Sequence, residues 1–206
     1  MENLEPSSFV FIGNHFITDF VNTRKNKKGI RTELLHSMVD VLQWLEHAGK
    51  RRYVSGELDE LPPHRQTEMF ERILAFRNLL EQTFAGLHRE KLIPAAFIKH
   101  INKELVGYSG YYQFETEVIP FSIARHYTIS QLPALFLEET VLFLTTMKSD
   151  NLKKCENPEC ILYFYDTSRN QQRRWCSMET CGNRVKVNQH YHRKKQENIN
   201  LNSLNN

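Results

Sequence analysis

Four cysteines in the last quarter of the chain have the residue type and the spacing of a metal site. They are the only cysteines among 206 residues, and they form two C-x4-C pairs, Cys155 with Cys160 and Cys176 with Cys181. Two short pairs on either side of a polar segment can deliver four thiolates to one ion, as tetrahedral Zn²⁺ requires. Because four protein ligands leave no position open for a substrate, such a site is structural rather than catalytic. The sequence therefore predicts one structural zinc ion.

The same cysteines could also form two disulfides, bind an iron–sulfur cluster or remain four independent thiols. The first residues lack a secretory signal pattern, and no apolar run approaches the roughly 20 residues of a membrane span. We therefore expect a cytoplasmic protein with no membrane partner, in which thiols stay reduced and disulfides are disfavoured. The spacing also matches neither ferredoxin pattern, so zinc is the favoured interpretation.

The cysteines lie in a segment whose charge differs from that of the rest of the chain. Residues 1–152 contain 17 Lys/Arg and 19 Asp/Glu, whereas residues 153–195 contain 10 Lys/Arg and 4 acids. A nearly neutral body with a basic metal module favours an anionic partner, and DNA is the partner we expect. The candidate DNA-binding residues are Arg169, Arg173, Arg174, Arg184, Lys186, His190, Arg193 and Lys194.

The basic charge has a second interpretation. A zinc ion with four thiolates has a net charge of −2, so Arg174 and Arg184 could serve only to balance it. In that case the protein would be an interaction adaptor with a purely structural finger. We predict no enzymatic activity, because no carboxylate pair, nucleophile–base set or catalytic metal spacing is present.

Polar residues near apolar elements of the first half are candidates for binding a small effector. They are Asn22, Thr23, Arg24 and Arg77. The alternative is that Asn22-Thr23 turns the chain and that Arg77 forms an ion pair. A homodimer is also expected, because a single finger offers little surface to a specific DNA site.

The elements that must position these residues are mainly helical. Apolar spacing predicts helices over about 32–48, 63–88, 94–106 and 132–148, with a hairpin over 111–119 and 121–129 and a basic loop over 24–31. The cysteine module is expected to contain a strand over 161–166 and a final helix over about 180–196, capped by Ser177 or Thr180. Val187 and Tyr191 would pack that helix on the zinc site, and Phe164 and Trp175 would complete the small core.

The predicted fold is thus mainly α (α+β): a helical N-terminal domain with a small β-hairpin, then a small four-cysteine zinc module that ends in a helix. The expected boundaries are 1–150 for the helical domain, with 149–153 as a polar linker, 151–197 for the module and 198–206 for a disordered tail.

The residues around the second cysteine pair resemble a known family. Cys181-Gly182-Asn183-Arg184 is the signature of the CGNR zinc-finger family, and Cys-Glu-Asn-Pro-Glu-Cys, Tyr-Asp-Thr-Ser-Arg-Asn and Arg-Arg-Trp-Cys-Ser-Met resemble its flanking segments. Upstream, Gly13 to Thr23 looks like the start of the alpha-rich ABATE domain that precedes this finger. The resemblance implies a stress-related bacterial transcription regulator whose finger binds DNA.

Overall fold

The computed structural model describes residues 9–27, 29–116 and 122–204. Its helices are α1 (Phe16–Val21), α2 (Met38–His47), α3 (Pro63–Glu90), α4 (Ala95–Gly107), α5 (Leu132–Thr146) and α6 (Asn183–Leu204). Its strands are β1 (Arg24–Lys27), β2 (Ile30–Glu33), β3 (Val54–Ser55), β4 (Tyr111–Phe114), β5 (Ile123–Thr128), β6 (Leu152–Lys154) and β7 (Tyr163–Tyr165). The predicted mainly α fold with small β elements is confirmed. None of the helices in the described ranges is long and apolar enough to cross a membrane.

The strands form three small sheets. β1 and β2 pair antiparallel, with Arg24 opposite Glu33, and β6 and β7 pair antiparallel, with Lys153 opposite Phe164. In the third sheet β5 is central, parallel to β3 and antiparallel to β4. The β4–β5 pair is the hairpin predicted from the sequence, although its turn residues 117–121 lie outside the described residues.

α3 is the longest helix of the body and follows the predicted apolar stripe. Pro63 occupies its first turn, where the missing N–H costs nothing, and Lys91 ends it in the left-handed conformation with φ of 58°. Met69, Ile73, Phe76, Leu80, Phe84 and Leu87 are buried along one side. This stripe forms one wall of the core.

The prediction of a helix starting at residue 32 is wrong, and so is that of a loop over 24–31. Arg24–Lys27 and Ile30–Glu33 form the β1–β2 hairpin, which turns at Gly29 with φ of 84°. α2 starts only at Met38, because Ser37 and Asp40 form a reciprocal capping box that fixes its first turn. Glu33, the last residue of β2, is held by two hydrogen bonds from Arg77 of α3, each 2.6 Å.

α1 lies at the centre of the core. Ile17 and Phe20 are fully buried, and the ring of Phe20 lies 4.4 Å from that of Phe136 on α5 and 5.5 Å from that of Trp44 on α2. Aromatic rings at these separations add to the burial of apolar area. The helical body is therefore organised around this short helix.

The same core continues past residue 150. Leu152 of β6 is fully buried and Tyr163 of β7 is 3% exposed, both within the body's hydrophobic cluster. The prediction of a polar linker over 149–153 is therefore wrong. Residues Ser149–Asn151 form one tight turn, and the backbone N–H of Asp166 donates to Asn151 O at 2.7 Å. The chain passes from α5 into β6 without a free connector.

Candidate functional site

The four cysteine sulfurs converge on one point. All four Sγ atoms lie within 4.8 Å of one another, with Cys160 and Cys176 at 3.7 Å and Cys176 and Cys181 at 3.5 Å. A tetrahedral zinc ion with bonds of about 2.3 Å requires sulfur–sulfur separations of about 3.8 Å. The four thiols and their separations thus fit one structural zinc ion. When bound, the ion cross-links the two cysteine pairs and leaves no coordination position open.

Local turns orient the side chains of the first cysteine pair, Cys155 and Cys160. Cys155 follows β6, and its N–H donates to Leu162 O at 2.9 Å, so that it extends the β6–β7 ladder. Asn157 then reverses the chain, because its carbonyl accepts the N–H of Cys160 at 2.8 Å and its side chain accepts the N–H of Glu159 at 3.1 Å. Both thiols therefore face the same side of a tight loop.

The second pair is positioned by a helix start. The Ser177 side chain accepts the N–H of Thr180, as a cap does, and Met178–Gly182 forms a wide π-type turn that holds Cys181 and leads into α6. The N–H of Cys176 points at Cys155 Sγ at 3.4 Å. The prediction that Ser177 or Thr180 caps the final helix is confirmed for Ser177.

The thiols of Cys155, Cys160 and Cys176 oppose one another's ionisation when no cation is bound. Hydrogen bonds from Cys160 and Cys176 lower the pKa of Cys155. The same contact with Cys155 raises the pKa of Cys160, and contacts with Cys155 and Cys160 raise the pKa of Cys176. Zn²⁺ removes this conflict because it stabilises every thiolate at once.

Arg173 clamps the cysteine loop to the N-terminal segment. Its guanidinium donates to the carbonyls of Trp175 at 3.0 Å, of Ile12 at 2.9 Å and of Cys176, and it lies 4.3 Å over the ring of Phe164. A guanidinium with this many backbone acceptors has a structural role in the folded chain. Its candidate role in DNA binding stays a prediction.

The other candidate DNA-binding residues are more exposed. Arg174 pairs with Glu156 at 2.6 Å, and Arg184 lies 3.8 Å from Glu159. Arg169 is exposed on the segment between the two cysteine pairs. The remaining candidates are exposed on α6: Lys186, His190, Arg193 and Lys194.

The prediction that Val187 and Tyr191 pack α6 on the zinc site is wrong. Val187 is 67% exposed and Tyr191 is 64% exposed. Phe164 is fully buried and Trp175 packs against the cysteine cluster, as predicted, but the remaining space is filled by Ile12 and Leu162. Because Ile12 belongs to the N-terminal segment, the body itself completes the core of the module.

The N-terminal segment also contacts β7 through hydrogen bonds that sequence reasoning missed. Asn22 Nδ2 donates to Tyr163 O at 2.7 Å, and Asn22 Oδ1 accepts the N–H of Tyr163 at 2.9 Å. Gly13 O accepts the N–H of Tyr165 at 2.7 Å, and Asn14 Nδ2 donates to Tyr165 O at 3.3 Å. Polar residues of the segment from Gly13 to Thr23 thus bind the finger to the body, a role that the sequence did not indicate.

The four candidate effector-binding residues already have partners inside the protein. Asn22 pairs with β7, Arg77 donates to Thr23 at 2.9 Å and to Glu33, and Arg24 bridges Glu33 at 3.1 Å and Glu81 at 3.0 Å. Arg77 is 1% exposed and pairs with Glu33, so the alternative interpretation, that Arg77 forms an ion pair, agrees with the structure. An effector role for these residues stays a prediction.

Comparisons with known families agree with this architecture. A model of the CGNR zinc finger matches residues 151–194. The ABATE family, described as "Putative stress-induced transcription regulator", matches residues 14–117, just over half of the chain.

The chain belongs to the ABATE family. Its second part is a CGNR zinc finger, and the resemblance seen in the sequence is confirmed. Both families are of regulator or zinc-finger type, and neither is described as an enzyme. A search of curated proteins found no match to the chain. Together with the convergence of the four sulfurs, the match identifies the cysteine cluster as the zinc site of this finger.

Proposed function

We propose that this ABATE protein is a DNA-binding transcription regulator in which the zinc finger presents α6 to DNA and the helical part senses a small ligand. The observation that supports DNA binding best is the charge and exposure of α6. From Asn183 to Gln196 it contains five Lys/Arg, two His and no acidic residue. Every side chain in that stretch is exposed except that of Val185, which is half-buried.

A helix of this composition gains little from the rest of the fold. Helices are stabilised in proteins mainly by burying one apolar face, and this stretch buries none. An external partner would therefore stabilise it, and a basic helix fits the width of the DNA major groove. The zinc site holds the turn that precedes this helix, and residues 186–196 of the helix are exposed to solvent.

A basic cleft next to the zinc site extends the proposed DNA surface onto the helical body. The cleft has a volume of about 540 Å³ and contains Lys91 at the end of α3, Lys154 of β6 and Arg174. Lys91 pairs with Asp150 at 2.8 Å, and Arg174 pairs with Glu156, but all four side chains are roughly half exposed or more. Exposed ion pairs are worth at most about 1 kcal/mol, so DNA phosphates could replace the acids.

In this proposal residues 1–150 are the sensing part and residues 151–197 the DNA-binding part, with dimerisation supplying a second finger. One observation favours the adaptor instead. Val187 and Tyr191 form an exposed apolar strip on α6, and such strips are common in protein interfaces. An adaptor would use this strip and would not depend on the basic residues around it.

DNA binding by the zinc-loaded full chain across a salt series tests the proposal. If about six phosphates are contacted, log affinity falls against log salt with a slope of about −5. Replacing Lys186 and Lys194 together by Gln should reduce that slope by about two, whereas Lys99→Gln on α4 should leave it unchanged. A flat salt dependence that neither variant alters would contradict DNA binding and favour the adaptor.

A further inference from the structure

An apolar cleft lies between α3, α4 and α5 of the helical body. Its volume is about 320 Å³, and its floor includes Ile73, Phe76, Phe136 and Leu137. These four side chains are at most 8% exposed, because their other sides form the main core. Small-molecule sites in proteins have this character, with volumes from about 300 Å³ and mostly apolar walls.

The rim of the cleft is charged. Arg72 donates to Glu104 at 3.2 Å, lies 3.8 Å from Glu68 and stacks over the ring of Tyr108 at 5.4 Å. A neighbouring, more polar cleft of about 460 Å³ shares Arg72, Glu104 and Tyr108 and adds Lys103. The rim is therefore the boundary between an apolar floor and a polar, solvent-facing edge.

The charges of the polar cleft do not cancel. Arg65 and Arg72 pair with the two acids, Glu68 and Glu104. Among the residues that the structure describes, Lys103 has no acidic partner within ion-pair distance. One positive charge thus remains in the neighbouring polar cleft, which shares Arg72, Glu104 and Tyr108 with the apolar cleft, and it is complementary to a ligand with one negative charge.

We infer that the two adjoining clefts bind a small amphipathic carboxylic acid, with its apolar body on Phe136 and Leu137 in the apolar cleft and its carboxylate near Arg72 and Lys103 in the polar cleft. An amine would face the excess positive charge, and a neutral alcohol would leave Lys103 unpaired. The inference rests on the ligand-sensing part of the proposed function, for which it supplies a site and a ligand class.

The floor of the cleft is in contact with the elements that hold the finger. Phe136 contacts Phe20 of α1, with ring centroids 4.4 Å apart. Two residues further along, Asn22 binds the backbone of Tyr163 in β7, eight residues after Cys155. A ligand that shifts Phe136 would therefore press on the helix to which the finger is docked, and the coupling would act equally in both directions.

Calorimetric titration of the zinc-loaded full chain with decanoate, decylamine and decanol tests the ligand class. We expect one decanoate per chain and an affinity for decylamine lower by at least about ten-fold. Lys103→Glu should weaken decanoate binding by about five-fold, whereas Lys99→Glu on the same helix, which lines neither cleft, should leave it unchanged. Equal binding of decanoate and decylamine, or equal effects of the two lysine variants, would overturn the carboxylate assignment.

A second pair of variants tests the location. Ala75 is exposed on the wall of the cleft, so Ala75→Trp should fill the cleft without disturbing the core and should abolish decanoate binding. Ala96→Trp, exposed on α4 and outside the cleft, is the matched control. Unaltered binding to Ala75→Trp would overturn the site. Because the titration contains no DNA, it tests ligand binding even if the protein does not bind DNA. DNA binding by Ala75→Trp can be measured separately.

Discussion

The side chain of Asn22 forms with Tyr163 the two hydrogen bonds that a neighbouring strand would form. Its amide donates to the carbonyl of Tyr163 at 2.7 Å and accepts the N–H at 2.9 Å, across 141 residues of sequence. Both residues are buried, so neither backbone group has water as a substitute. One asparagine of the body thus completes the edge of the finger's small sheet.

Replacing Asn22 by Ala should strongly destabilise the whole protein. Each buried backbone group left without a partner costs about 1–3 kcal/mol, and this change affects two. Urea unfolding of the zinc-loaded protein would measure the loss as a lower midpoint. Asn188→Ala on the exposed face of α6 serves as the control. Equal midpoints for the two variants would mean that the pairing with Tyr163 contributes nothing.

Arg173 should contribute mainly to folding stability and Arg174 mainly to DNA binding. Arg173→Gln removes a clamp on three carbonyls and should lower the free energy of unfolding by about 1.5–3 kcal/mol, since hydrogen bonds to charged groups are the stronger ones. Arg174→Gln breaks one exposed ion pair and should change the free energy of unfolding by less than about 1 kcal/mol. The second variant should still reduce the salt slope of DNA binding by about one. Denaturation and salt titrations of both variants distinguish the roles, and the reverse pattern would refute this assignment.

Glu33 should make stability depend on acidic pH. Burial opposes its ionisation, but hydrogen bonds and charge from Arg77, with a further hydrogen bond from Arg24, outweigh burial and lower its pKa to about 2. Because the folded pKa lies below the unfolded value of 4.5, the stabilisation is complete above about pH 5 and is lost as the pH falls towards 2.

The matched variant for this test is Glu33→Gln. It should be about 3 kcal/mol less stable than the wild type at pH 7, and the difference should shrink between about pH 5 and pH 3. Acid also releases zinc from thiolates, so only the difference between the two proteins at each pH is informative. A difference that stays constant down to pH 3 would count against the shifted pKa.

Cys176→Ser should release the zinc ion. Structural zinc supplies an apparent 10–16 kcal/mol, roughly the whole stability of a typical domain, so the finger should unfold with its metal. Elemental analysis should find one zinc per wild-type chain and clearly less in the variant, and protease should cleave the variant between residues 155 and 181. Ser177→Ala, which removes only a cap, should keep its zinc. A stoichiometric zinc ion in Cys176→Ser would show that Cys176 is not a ligand.

Local patterns predicted the features that local interactions determine. The cysteine spacing predicted the convergence of the sulfurs, and the apolar stripe of α3 predicted a helix, because both depend on residues close in sequence. The same approach failed where a distant partner decides the structure. Periodicity favoured a helix at residue 32, but Arg77 holds Glu33 in a strand from 44 residues away.

The apolar spacing of Val187 and Tyr191 predicted the wrong contact for a similar reason. It indicated a packing face, but the space on the zinc module is filled by Ile12, which lies more than 140 residues earlier in the chain. The pairing of Asn22 with Tyr163 was equally inaccessible, since a buried asparagine has no periodic signal. The polar residues between Gly13 and Thr23 were visible in the sequence, but their partners were not.

The shared core has a consequence for engineering. Leu152 and Tyr163 are buried in the body, and Ile12 of the N-terminal segment is part of the finger. Grafting the finger onto another protein would expose apolar side chains on both the finger and the body, and it would leave β7 without its partner Asn22. This zinc finger therefore cannot be transferred alone, and exchanging it between relatives would require exchanging residues 12–23 together with it.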